Sequence, residues 1–232
     1  MLEIKDIAFS YDKKRFIIDG LNLEFKEGGI YGLLGKNGTG KSTLLYLMMG
    51  LLRPSRGQIL MDGKNPADRD PKTLMDMFIV PEEYDLPHVK LWDYVKVIRP
   101  FYPNMDEQVL KDCLEVFEMN QNYDLGSLSM GQKKKIYICF ALSARTKVLL
   151  MDEPTNGLDI PSKSQFRKAI ARGSREDQII IISTHQVRDV ETLLDHVTMI
   201  DDNRVLMNEP LDPEVPVNLE ELFTEKLNAY NK

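Results

Sequence analysis

The chain has only two cysteines, Cys113 and Cys139, in 232 residues. Both stand in apolar surroundings, which reads as small buried hydrophobes and argues against a disulfide framework or a cysteine metal site. A surplus of positive charge is missing too. Lys and Arg number 30 against 36 Asp and Glu, giving a net charge of -6, and the only tight basic run is Lys133-Lys134-Lys135. Binding along a nucleic-acid backbone needs cations clustered on one face, so no nucleic-acid partner is expected, and the lysine run reads as a solvated helix face. No apolar run nears the roughly 18 residues that span a bilayer. The start, Met1-Leu2-Glu3-Ile4-Lys5, lacks a basic segment followed by an apolar stretch. A cytoplasmic location is therefore expected, and any membrane role must come through a partner. Internal repeats and low-complexity segments are absent as well.

What is present is ordinary for a globular protein: 43% hydrophobic and 28% charged residues, in a length that suits one large domain, or one domain with an insertion. Residues 2–9 and 16–26 carry short apolar and alternating patterns, broken by Tyr11-Asp12-Lys13-Lys14 and Asp19-Gly20. They are expected to be antiparallel strands. Ile30 to Leu34 is a buried-strand run that ends in a glycine-rich turn, and Ser42 to Met49 then reads as a helix. Further strands are expected at 58–61, 77–80, 148–151 and 179–183, the last two as continuous apolar runs of a parallel sheet. Between them, Val109, Leu110, Cys113, Leu114 and Phe117 recur at helical spacing over 106–119. Residues 197–200 and 205–207 flank Asp201-Asp202-Asn203-Arg204, a hairpin signal. Asn218 and Glu221 resemble a capping box that opens a last helix with Leu219, Leu222, Phe223 and Leu227 on one face.

Gly35-Lys36-Asn37-Gly38-Thr39-Gly40-Lys41-Ser42, followed by Thr43, matches G-x-x-x-x-G-K-[ST] in full, between a strand and a helix. Glycines let backbone N–H groups turn inward around phosphate oxygens, and the helix N-terminus adds partial positive charge at the same spot. Lys41 supplies a cation to the β- and γ-phosphates, and the Ser42 hydroxyl suits Mg²⁺. Phosphoryl transfer also needs a carboxylate for the metal and a group to orient or deprotonate water. The strand ending in Asp152 and Glu153 supplies both: Asp152 toward Mg²⁺, and Glu153 as general base.

Leu128-Ser129-Met130-Gly131-Gln132 stands about twenty residues before Asp152. It closely resembles LSGGQ, the signature motif of ABC ATPases, with Met130 in place of a glycine. At a helix start, the Ser129 hydroxyl and the Gly131 N–H would face an anion, and Gln132 completes the motif. The likeness covers nearly the whole chain. It implies that Tyr11 stacks on adenine, that Gly157-Leu158-Asp159 is the loop joining two subunits, and that His185, in Ser183-Thr184-His185, donates to the γ-phosphate. The family usually has glutamine where this chain has Glu82; a carboxylate can ligate Mg²⁺ but adds negative charge beside the nucleotide.

The resemblance implies an α/β P-loop fold, with a RecA-like core, an N-terminal antiparallel β subdomain and an inserted helical subdomain. The core and β parts would occupy about 1–82 and 136–215, the helical insertion about 83–135 and the terminal helix about 218–230. It also implies an ATPase that uses ATP and Mg²⁺ and pairs head to tail with a second copy or a paralogous subunit, Ser129 of one covering the nucleotide held by Lys41 of the other. A membrane-spanning permease would hold it at the inner face of the cell membrane. The short terminal helix looks like those of exporters, so export is the expected direction. A stand-alone scaffold ATPase, as in iron–sulfur cluster assembly, shares every nucleotide motif and is the alternative. GTPases are excluded by the signature motif and by the lack of N-K-x-D.

Overall fold

The structure is a computed structural model that describes all residues except 13, 14, 202, 213, 216, 217, 231 and 232. Lys13 and Lys14 of the first expected turn, and Asp202 of the expected hairpin turn, therefore lie outside the described residues.

A three-stranded antiparallel sheet is built from β1 (Leu2–Phe9), β2 (Ile18–Phe25) and β4 (Arg56–Met61), in the order β2-β1-β4. Leu2 and Ile4 face inward with period two, yet Ile7 and Phe9 are buried as well. An irregularity after Ile4, with Asp6 at φ 47, re-phases the strand so that both halves keep their apolar face inside. Opposite it, Gly57 has φ 77, and a Cβ there would come within 2.3 Å of the Asp6 carbonyl oxygen, so only glycine fits. The second strand starts at Ile18 rather than at 16, and Phe16 is left exposed.

A six-stranded sheet follows the order β5 (Met77–Val80), β6 (Val148–Asp152), β7 (Ile179–Thr184), β3 (Gly29–Leu34), β8 (His196–Asp201) and β9 (Arg204–Pro210). All neighbours run parallel except the β8–β9 hairpin, which forms the antiparallel edge. Every residue of β6 and β7 is buried, as expected for central parallel strands covered on both faces. The helices are α1 (Lys41–Met48), α2 (Pro71–Leu74), α3 (Leu91–Ile98), α4 (Glu107–Val116), α5 (Met130–Ser143), α6 (Ile160–Gly173) and α7 (Leu219–Tyr230). On one side of the large sheet, a core centred on Phe140, Phe166, Ile138 and Phe117 joins it to α4, α5 and α6. On the other, Leu44, Leu45, Leu47 and Phe25 join it to α1 and the small sheet. Each such side chain contributes about 1.5–3 kcal/mol by leaving water.

Periodicity placed a helix over 106–119; α4 is shorter, because Asp106 caps its start and Glu118, at φ 55, cannot continue it. The last helix is capped by Asn218, whose Oδ1 accepts from the N–H groups of Glu220 and Glu221. Helix α5 is continuous across residue 135, so a division between 135 and 136 passes through an unbroken helix. Both cysteines are buried and form no disulfide, their thiols lying in hydrogen-bond contact with each other.

The lysine run is not the solvated face that its composition suggested. Lys133 Nζ donates to Asp85 Oδ1 at 2.6 Å, Lys134 is buried, and Lys135 Nζ donates to Gln165 Oε1 at 3.0 Å. Successive residues of a helix point about 100° apart, and α5 is packed around much of its girth, so three adjacent lysines meet three different neighbourhoods.

Candidate active site

The glycine loop joins the C-terminal end of β3 to α1. Gly38 and Gly40 have φ 82 and 94, which side chains strain to adopt. A Cβ on Gly40 would also lie 2.8 Å from Ile17 Cγ2. Lys41 is buried, and its Nζ donates to the carbonyl oxygens of Gly35 at 2.8 Å and Lys36 at 3.1 Å. The Thr39 hydroxyl donates to the same Lys36 carbonyl at 2.9 Å and braces the turn. The start of α1 has no side-chain cap, and the N–H groups of a helix's first turn favour an anion there. Thr43 Oγ1 is 3.2 Å from the hydroxyl of Tyr11, whose exposed ring packs edge-on against Phe9.

Strand β6 carries the acidic pair to the same end of the sheet. Asp152 Oδ1 accepts from the Ser183 hydroxyl at 2.5 Å, whereas its Oδ2 is buried without a hydrogen-bond partner. Burial pushes the Asp152 carboxyl above its ordinary range; the Ser183 and Ser42 hydroxyls oppose this, and negative Glu82 and Glu153 reinforce it. Such an oxygen suits a divalent cation, and Ser42 supplies a second oxygen beside it. Among the described residues, no cluster of three or more His, Cys, Asp or Glu side chains forms a cage. Mg²⁺ takes one or two carboxylates and completes its shell with water and phosphate, a demand that a buried carboxylate oxygen beside a hydroxyl suits.

Glu153 has φ 43, a conformation costing about 1–3 kcal/mol for a residue with a side chain. It is held on every side. Its N–H donates to the Ser183 carbonyl at 3.0 Å; its Oε2 accepts from the Thr184 hydroxyl at 3.1 Å; its Oε1 accepts from the His185 N–H at 3.1 Å and lies 2.8 Å from His185 Nδ1. Lys41 Nζ stands 3.6 Å from the same Oε1. Glu82 Oε1 accepts from Asn156 Nδ2 at 2.9 Å. Lys41, Ser42, Glu82, Glu153 and His185 thus share one cavity of about 440 Å³ with Asn37, Gly38, Gly40 and Thr43. Two of its lining residues, Ile17 and Asn156, were not anticipated from sequence.

The signature segment lies elsewhere. Ser129 caps α5 in a reciprocal box: its Oγ accepts from the Gln132 N–H at 3.3 Å, and Gln132 Oε1 accepts from the Ser129 N–H at 3.1 Å. Asp159 caps α6 by accepting from the Ser162 N–H at 2.9 Å. None of Ser129, Gly131, Gln132 and Asp159 lines the cavity that holds Lys41.

A strand, a glycine loop around a buried lysine, and an acidic pair on a parallel strand one place removed in the sheet define a P-loop nucleoside triphosphatase. The family model for ABC transporters matches residues 18–156. The lantibiotic transport ATP-binding protein SrtF of Streptococcus pyogenes is 30% identical over 98% of this chain and 97% of its own length. The bacitracin transport ATP-binding protein BcrA of Bacillus licheniformis is 31% identical, over 91% of this chain and 70% of its own. The methionine import ATP-binding protein MetN of Carboxydothermus hydrogenoformans is 33% identical, over 89% of this chain and 65% of its own. A solved ATP-binding subunit of an ABC transporter superposes with TM-score 0.87 at 24% identity, over 98% of this chain and 99% of that one. A dimeric bacterial ABC transporter cassette superposes at TM-score 0.79 and 22% identity, over 91% and 99%, which shows the shared fold. The chain belongs to the ABC transporter family, as an ATP-binding subunit with ATPase activity. No helix among the described residues is long and apolar enough to cross a membrane.

Proposed function

We propose that the chain hydrolyses ATP at a site completed by a second ABC subunit, and that a separate membrane-spanning partner converts the cycle into export. Lys41 and the amides of Gly35–Thr43 bind the phosphates, and Tyr11 stacks on the adenine. Ser42, Asp152 and Glu82 would hold Mg²⁺, which would supply positive charge to offset that of the phosphates. Glu153 takes the proton of the attacking water, and His185 donates to the γ-phosphate. Ser129, Gly131, Gln132 and Asp159 act on the nucleotide of the facing subunit. The observation that carries this reading is the division within one chain: base, lysine and histidine share a cavity, while the capped signature segment lies outside it.

The partner surface is assigned to a second, largely apolar groove of about 500 Å³, whose lining includes Phe78, Tyr94, Phe101, Tyr102, Tyr137 and Phe140. It is shared between residues of α2 and β5 and the segment that follows β5, of which about 83–135 acts as a helical subdomain. The match over nearly the full length of a lantibiotic transport subunit supports export. A permease bound in this groove would place the chain at the inner face of the membrane.

The composite site is tested by mixing two inactive variants, Lys41→Ala and Ser129→Phe. Head-to-tail pairing restores part of the hydrolysis, because the mixed dimer keeps one intact site. Activity no higher than in either variant alone would mean that both motifs serve the same subunit's nucleotide.

A further inference from the structure

Lys134 has no part in the chemistry assigned above, yet it is the most deeply placed of the three lysines, 7% exposed. A buried ammonium is costly unless its charge is answered. Among the described residues no carboxylate lies within ion-pair distance of it. Instead its Nζ donates to two carbonyl oxygens, that of Glu153 at 3.1 Å and that of Asn156 at 2.9 Å. These are the two ends of one turn, closed by the Asn156 N–H donating to the Glu153 carbonyl at 3.1 Å. Asn156 passes the link on, its Nδ2 donating to Glu82 Oε1 at 2.9 Å. One chain of hydrogen bonds therefore runs from helix α5 through the turn of the strained Glu153 to Glu82.

The charges point the same way. Glu82 and Glu153 line the cavity and Asp152 adds its charge to theirs, while among the described residues Lys41 is the one ammonium that lines it. Burial pushes the Lys134 ammonium below its ordinary range, and Glu82 is the foremost of the carboxylates that hold it up, ahead of Glu153 and Asp152. Two carbonyl dipoles and this field together make the buried cation tenable.

We propose that Lys134 is a positioning residue paired with Glu82: its ammonium offsets the carboxylate that Glu82 brings to the ATP site, and its two hydrogen bonds pin the Glu153–Asn156 turn for hydrolysis. The proposal rests on the reading of Glu153 as the base at this site. It makes Lys134 and Glu82 interdependent, which neither a bland packing role nor a surface lysine would require.

The test is a double-mutant cycle on the full chain with Lys134→Gln, Glu82→Gln and the two combined, reading kcat and KM for ATP and the thermal unfolding midpoint without nucleotide. Lys134→Gln alone lowers kcat about tenfold or more and moves KM less than about threefold. In the Glu82→Gln background the same change costs less than about threefold in kcat. Equal losses in both backgrounds overturn the pairing, and an unchanged kcat in Lys134→Gln overturns the positioning role. If Lys134→Gln does not fold, the combined variant must recover a cooperative melt; failure to do so overturns the pairing equally. Glu153→Gln is assayed beside them. Turnover surviving there would remove Glu153 as base while leaving the Lys134–Glu82 coupling legible in the unfolding midpoints.

Discussion

Two cavities of similar size, about 440 and 500 Å³, are built in part from the same elements of this molecule, and they are opposites in chemistry. One is lined by backbone amides, an ammonium and carboxylates, and each of its functional side chains is fixed by hydrogen bonds. Half of the residues lining the other are aromatic, and one of these, Phe101, is 64% exposed. The same two elements serve both. Strand β5 puts Phe78 into the groove and leads directly to Glu82 in the polar cavity; helix α5 puts Tyr137 and Phe140 into the groove and Lys134 against the turn of Glu153. A change of packing in the groove can therefore reach Glu82 and Glu153 through rigid elements, without a flexible connection.

The largest expected effect strikes the polar cavity alone. Glu153→Gln removes the base but keeps the shape and most of the hydrogen bonds, so hydrolysis falls by about 10² to 10⁴ while ATP binding persists. Size-exclusion chromatography of this variant is expected to show an ATP-dependent dimer. Near-normal turnover would take Glu153 out of the mechanism. A smaller effect should separate the groove from the cavity. Phe101→Ser removes an exposed ring that touches no nucleotide-binding residue, and basal ATPase activity should not change. Affinity for the membrane partner should weaken by about tenfold, the loss of 1.4 kcal/mol expected of one aromatic anchor. Co-purification from detergent at wild-type yield would mean that the groove is not the seat of the partner.

The two cavities differed as much in how readable they were. The polar one was spelled out, because phosphate chemistry demands particular residue types at fixed spacing: Lys41 after its glycines, and Asp152 and Glu153 at the end of an apolar strand. The groove was invisible as such. Its residues come from α2, β5, the α3 region and α5, and no local pattern marks aromatic rings that converge from separate segments. Helix α3 was missed in the same way, lying in the stretch where only α4 had clear periodicity. Lys134 fell between the two cases. Charge composition placed it on a solvated face, but Ile138, Ala141 and Leu142, four, seven and eight residues on, are all buried. That spacing put position 134 on the inner stripe of the helix, and periodicity was the better guide. The hydrogen bond from Asn156 to Glu82 left no trace in the sequence, since 74 residues separate the partners.

The signature segment belongs to neither cavity, and the smallest expected effect asks what it is for. In the reciprocal cap the Ser129 oxygen accepts from the Gln132 N–H, which uses one of its lone pairs. A hydroxyl also carries a proton to donate, and no acceptor for it is found among the described residues. The exposed Ser129 hydroxyl thus sits with a proton to donate at a helix N-terminus, where an anion is favoured. Ser129→Ala loses both functions. The loss of the cap should cost about 1 kcal/mol, seen as a fall of about 2–4 °C in the unfolding midpoint for a chain of this size. The loss of the donor should in addition weaken the ATP-dependent dimer in a Glu153→Gln background. Ser129→Thr keeps the hydroxyl and should largely restore both. If Ser129→Ala melts lower but dimerises with ATP as before, Ser129 is a helix cap and nothing more, and the facing nucleotide must be closed off by other residues.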